Sequence, residues 1–177
     1  MGVWGAFKGA RELHALGRID RLPRLLCVQQ ESCAPMVSAW RDGSDRIRPE
    51  DIVPRPEGIA KAILRGNPSR AYPYVREILL ESGGELVSVS DREIREARRL
   101  VEDLEGVSPC FAAAAAVAGL AQLGRRGEVP ADETILVNLT GREREEPASI
   151  TDPHWLVRAG DRWIAEDPTH RIPGLSA

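Results

Sequence analysis

The chain has 177 residues, 42% of them hydrophobic and 29% charged, and a formal net charge of −3. That length allows one domain with a proper core or a little more, and the mild acidity leaves no basic face for nucleic acid. No window reaches the ~18–20 apolar residues of a membrane span and no signal-peptide pattern is seen, so a cytoplasmic protein without a membrane partner is expected.

In chain order, Trp4, Phe7, Leu13, Leu16 and Ile19 recur at near-helical spacing, with Gly17 placed to end that helix. Pro23 leads into a short strand over Leu25 to Val28. Ser32 is placed to cap the next helix, which has Pro35 in its first turn. Helix, strand and helix in succession suggest a layered α/β unit. Residues 42–57 hold three prolines and many charges and read as a surface loop. Residues 58–82 read as two helical pieces, broken at Gly66-Asn67-Pro68 and stopped by Gly83-Gly84.

Glu85 to Ser90 alternates as a strand does. Ser90 and Glu93 then make a capping box, opening a helix with Ile94, Ala97, Leu100, Val101 and Leu104 on its apolar face. On the same helix Arg92, Arg95, Arg98 and Arg99 alternate with Glu93, Glu96 and Glu102, the pattern of a solvated face. After Glu105-Gly106 and Ser108-Pro109 comes CFAAAAAVAGLAQLG, a helix with almost no polar face. It is expected to be buried, its alanines and Gly119 permitting close backbone approach. Ile135, Leu136, Val137 and Leu139 form an apolar run that reads as a strand covered on both faces, ending at Thr140-Gly141. GREREEPASITDP is loop-like, and HWLVRAGDRWIAED reads as a hairpin turning at Ala159-Gly160-Asp161, with Trp155 and Trp163 flanking it.

Thr140-Gly141 supports two readings. In open α/β sheets, ligands gather beyond the carboxyl ends of strands, where a hydroxyl that donates and accepts is useful. Alternatively, Thr140 starts a turn and Gly141 supplies its bend. Other chemistry is sparse. Cys27, Cys33 and Cys110 lack the spacing of a disulfide framework or a zinc site and are expected to be buried thiols. Asp152 with His154, and Asp167 with His170, read as surface turns rather than metal ligands. His14 reads as structural, and no nucleophile-elbow, phosphate-loop or dinucleotide motif is present.

The order of the segments carries more than any one of them. GAFKGARELHALGRIDRLPRLLCVQ, then Gln29 with CAP at Cys33 to Pro35, GIAKAILRGNPSRA, SGGELVSVSDREIREA, EGVSPCFAAAAAVAGLAQL and ILVNLTG follow one another. Over residues 4 to about 141 the chain resembles the second half of the fold type II pyridoxal-phosphate enzymes, threonine synthase and cysteate synthase among them. The resemblance implies an α/β fold over residues 1–141, an open, mostly parallel sheet with helices on both faces, and a C-terminal extension, 142–177, holding the hairpin. It also implies pyridoxal 5'-phosphate held between two α/β domains. The ring nitrogen would meet the hydroxyl of Thr140, Gly141 would let the backbone approach the ring, and the Glu105-Gly106 turn would line the same cavity. Ser108 and Cys110 fit a helix start as well as a role in the site. A neutral hydroxyl partner suits β- or γ-elimination and replacement chemistry.

Two departures shape the functional expectation. Arg142-Glu143-Arg144-Glu145 stands where threonine synthases continue with a His-Gly-Leu-Lys type sequence. This points away from phosphohomoserine and toward cysteate-synthase-like chemistry on a phosphoserine-like amino acid, with Arg142 or Arg144 either binding its anionic group or simply solvated. The family's Schiff-base lysine and Gly-rich phosphate loop lie before the matched region, and the only lysines, Lys8 and Lys61, fall on helical positions without a catalytic counterpart. The expectation is one part of a split enzyme, inactive alone, whose complementary chain carries the lysine and phosphate loop and shares the cofactor. The alternatives are a non-catalytic binding or regulatory module and a truncated remnant. No catalytic residue and no metal ligand is assigned to this chain.

Overall fold

A computed structural model describes residues 2–143 and 156–165, which belong to two compact units, Met1–Glu143 and Arg144–Ala177. The first unit runs α1 (Gly2–Ala15), β1 (Leu26–Gln30), α2 (Pro35–Arg41), two single 3-10 turns (Pro49–Asp51 and Lys61–Ile63), α3 (Tyr72–Ser82), β2 (Glu85–Val89), α4 (Asp91–Glu105) and α5 (Phe111–Arg125).

β1 and β2 pair in parallel from Leu26↔Glu85 to Gln30↔Val89. Side chains alternate across a strand, and here the two faces feed two layers. Val28 and Val89 pack with Ile94 and Ala97 of α4 and Ala114, Ala115 and Ala118 of α5. Cys27 and Leu86 pack on the other side, with Val37 and Ala39 of α2 and Tyr72 and Leu79 of α3. The expected arrangement of helices on both faces of a parallel sheet is therefore present. A Cβ on Gly119 would sit 2.5 Å from Val28 Cγ2, so α5 lies against β1 at a distance only glycine permits.

Several boundaries follow from local chemistry. Gly83 and Gly106 close α3 and α4 in the left-handed conformation, at φ 62° and 64°. The capping box is formed: Ser90 Oγ accepts from Glu93 N at 3.3 Å and Ser90 N donates to Glu93 Oε2 at 2.8 Å. Ser32 does not cap α2; its hydroxyl donates to Glu57 O. Gln29 takes that role from β1, its Oε1 accepting from Met36 N at 2.9 Å and Val37 N at 3.1 Å. A side-chain acceptor reaching the first turn satisfies the same orphan amides as a conventional cap.

Three expectations are corrected. Residues 58–65 are not a helix beyond the single turn Lys61–Ile63. Ala60 N is committed to Gln30 Oε1 at 2.8 Å, and Gly66 crosses Val53 so closely that a Cβ would stand 1.9 Å from Val53 O. On α4, Ile94, Ala97 and Val101 are buried, whereas Leu100 and Leu104 are 47% and 71% exposed. Residues 133–140 form no strand, and Ile135, Leu136 and Leu139 are exposed. An isolated apolar run gains no ladder of hydrogen bonds, and it becomes a strand only against a neighbour.

The 42–57 loop is held by an ion cluster. Asp51, 5% exposed, accepts from Ser38 Oγ at 2.6 Å, Arg48 N at 2.9 Å and Arg48 Nε at 3.0 Å. Arg48 also pairs with Asp42. Hydrogen bonding from Arg48 holds the Asp51 carboxyl far below the usual carboxylate range.

In the second unit, β3 (Leu156–Ala159) and β4 (Arg162–Ala165) form an antiparallel hairpin, with Arg158 opposite Trp163. Gly160 turns it at φ 62°, which matches the turn expected at Ala159-Gly160-Asp161. The readings placed on Arg144, Asp152, His154, Trp155, Asp167 and His170 lie outside the described residues.

Candidate functional site

α4 stops at Gly106, whose N–H returns to Glu102 O at 3.1 Å, and after four intervening residues α5 begins. The connection does not run free. Cys110 N donates to Gly141 O at 2.9 Å and Glu143 N donates to Ser108 O at 3.0 Å, around an antiparallel bridge between Pro109 and Arg142. Segments 108–110 and 141–143, distant in sequence, are thereby clasped. A Cβ on Gly141 would lie 2.3 Å from Cys110 Sγ, so a side chain there would have to displace the thiol.

The clasp brings together Ser108, Cys110 and Gly141 and leaves Thr140 exposed at its edge. Glu105 and Gly106 are also exposed. Among the described residues they make no hydrogen bond with Thr140 or Gly141, so that part of the expected constellation is not drawn together.

A charged cluster that sequence reasoning missed stands behind the clasp. Arg98, placed by its pattern on a solvated face, is only 20% exposed at its side chain. It donates to Glu102 Oε1 at 2.9 Å and Ser108 Oγ at 3.0 Å, and also to Glu143 Oε2. Ser108 Oγ in turn donates to Glu102 Oε1 at 2.6 Å. The Ser108 hydroxyl, followed by Arg98, holds the Glu102 carboxyl below its ordinary range. The ring of Phe111, the first residue of α5, lies under both Arg95 and Arg98, at 5.3 Å and 4.9 Å. The available signal was position: Arg98 follows the buried Ala97, at the rim of the helix's apolar stripe.

The thiols differ from the expectation in degree. Cys33 is buried while Cys27 and Cys110 are half-buried. Burial pushes the Cys27 thiol up to about 11 and raises that of Cys33, which favours the thiol over the reactive thiolate at both. Lys8 pairs with Glu12 on the exposed face of α1, and Lys61 is exposed on its 3-10 turn.

Two helical layers around a parallel sheet, with the segment after Thr140 fastened to the start of an alanine-rich helix, define an α/β fold. Residues 1–141 match the pattern of the pyridoxal-phosphate dependent enzymes, and the chain belongs to that family. Within it, the threonine synthase of Methanosarcina acetivorans is 39% identical over 167 residues, covering 94% of this chain and 38% of that protein. The cysteate synthase of Methanospirillum hungatei is 36% identical over 146 residues, covering 79% of this chain and 35% of that protein. The chain thus spans under two fifths of the length of these relatives. Among solved structures, a threonine deaminase from T.th. superposes with a TM-score of 0.58 at 20% identity, covering 78% of this chain and 46% of that one. The L-serine ammonia-lyase of Rhizomucor miehei gives 0.55 at 18% identity, covering 75% and 41%. These two establish the fold as that of the fold type II enzymes.

The family's cofactor is pyridoxal phosphate. The residues present fit one side of it: Thr140 offers an exposed hydroxyl, able to face a pyridine nitrogen as donor. It immediately precedes Gly141, whose carbonyl is pinned to the start of α5 and where a Cβ would crowd the Cys110 thiol.

Proposed function

We propose that the chain supplies the ring-nitrogen wall of a pyridoxal-phosphate site, in an enzyme of the threonine synthase and cysteate synthase kind, with the Schiff-base lysine carried by a complementary chain. The observation that supports this reading is the clasp of 141–143 onto 108–110. It fixes the backbone beside the Thr140 hydroxyl and leaves the hydroxyl itself free to reach a ligand.

When bound, the cofactor supplies an electron sink for elimination or replacement at the β- or γ-carbon of an amino acid. Thr140 orients the ring through a neutral hydrogen bond and sets how much positive charge the ring nitrogen holds. Gly141, clasped to Cys110, shapes the wall beside it. Arg142, exposed one residue beyond Gly141, is the group suited to the anionic end of a phosphoserine-like substrate, since guanidinium matches phosphate in a bidentate fork. Neither lysine of this chain is assigned that role: Lys8 is engaged with Glu12, and neither Lys8 nor Lys61 makes a hydrogen bond or ion pair with residues 105–110 or 140–143 among the described residues.

The test is co-expression with a candidate complementary chain bearing the lysine and a Gly-rich phosphate loop. A co-purified complex should show the visible absorbance of lysine-bound cofactor; one that stays colourless after cofactor is added overturns the proposal. In a coloured complex, Thr140→Val should shift that absorbance and lower turnover by about tenfold, the scale of one lost hydrogen bond of ~1.4 kcal/mol. An unchanged spectrum and rate would remove Thr140 from the site.

A further inference from the structure

Arg98 has a geometry that a solvated helix residue does not need. Its three donor groups go to three places: Nε to Glu102 on α4 itself, one terminal nitrogen to Ser108 in the connection to α5, and the other to Glu143 beyond Gly141. Its guanidinium meanwhile lies over Phe111 at 4.9 Å from the ring centroid. Planar, five-donor guanidinium can serve these directions at once; the point charge of lysine cannot.

Two of these partners are also the backbone partners of the clasp, because Glu143 N donates to Ser108 O at 3.0 Å. The side-chain bridge through Arg98 and the backbone bond therefore join the same two residues. An exposed ion pair contributes little, and Glu143 is 46% exposed. The Arg98 side chain, however, is 20% exposed, and charge-assisted bonds made from a mostly buried fork are the stronger kind.

We propose that Arg98 is a positioning residue: by holding Ser108 and Glu143 together it sets the register of 141–143 on 108–110, and so the place of the Thr140 hydroxyl. The inference rests on the site proposed above and extends it to a residue that touches neither cofactor nor substrate. It acts only through Ser108 and Glu143.

The experiment uses the full chain with Arg98→Met, which keeps much of the apolar stem, and separately Glu143→Gln, an exposed change that leaves the fold intact. Amide hydrogen exchange without cofactor reads the clasp, and cofactor titration of the complex with its complementary chain reads the site. Arg98→Met is expected to speed exchange of the Cys110 and Glu143 amides by about tenfold, with Glu143→Gln producing part of that, while the core amide of Ala118 stays as protected as before. Cofactor affinity should weaken by about tenfold in Arg98→Met, and Arg98→Lys should not restore it, for want of a fork.

Unchanged exchange at Cys110 and Glu143 in both variants overturns the bridge. Faster exchange with unaltered cofactor binding overturns the positioning role and leaves the site itself standing. If the wild-type complex takes up no cofactor, the functional reading fails and takes the positioning role with it. If Arg98→Met does not fold, Glu143→Gln alone decides by the same two readouts.

Discussion

β2 and the Ile135–Leu139 run are alike in composition and opposite in fate. Leu86, Val87 and Val89 in β2 are at most 3% exposed, whereas Leu136 is 86% exposed, Ile135 46% and Leu139 39%. β2 has β1 beside it in register and a helical layer on each face. The later run has its far end clasped through Gly141 but acquires no ladder. Strand-forming residues thus specify a readiness to be a strand, and pairing must come from neighbours.

The sharpest way to break this comparison is the same substitution in both places. Leu86→Ala should cost about 2–5 kcal/mol, the range for a buried leucine that leaves a cavity, read as a lower urea midpoint. A loss under about 1 kcal/mol would mean that β2 is no better packed than the exposed run. The 42–57 loop is an intermediate case, without a ladder yet fastened by charge. Asp51→Asn should cost about 3 kcal/mol, the low end for a broken buried pair because the Arg48 side chain keeps 32% exposure.

Since Arg48 depresses the Asp51 carboxyl in the fold, the associated stability is complete above the ordinary carboxylate value of about 3.9 and is lost as pH falls through and below it. Urea titrations from pH 7 down to about 3 should therefore show the gap between wild type and Asp51→Asn closing with acid. A gap independent of pH would assign the loss to packing. Smallest of all, Leu136→Ala in the chain by itself should stay within about 0.5 kcal/mol. A loss matching that of Leu86→Ala would show that the run is packed after all.

What proved legible in the sequence is what a few neighbouring residues decide. Gly17, Gly83 and Gly106 adopt the positive φ that their helix-ending positions require, Ser90 and Glu93 cap α4, and the hairpin turns at Gly160. The parallel layered fold follows from the order of such pieces. Where residues are claimed by distant partners, local pattern misleads. Ile59, Ala60, Ile63 and Leu64 carry helical spacing, yet Gln30 and Val53 dictate the path of that segment. Arg98 reads as one arginine among several on a charged face, and its tie to Glu143 spans 45 positions. Thr140 and Gly141 could be singled out from their segment, but the fastening of Gly141 to Cys110 depends on two chain segments meeting.

The two glutamines that end β1 have a mechanical consequence. Gln29 faces one layer and holds the amino end of α2, while Gln30, fully buried, faces the other, accepting from Ala60 N and donating to Asp91 at the start of α4. One peptide unit at the carboxyl edge of the sheet is thus a common datum for both layers. A tilt of α2 against α4 would have to stretch or break hydrogen bonds anchored on these two adjacent side chains.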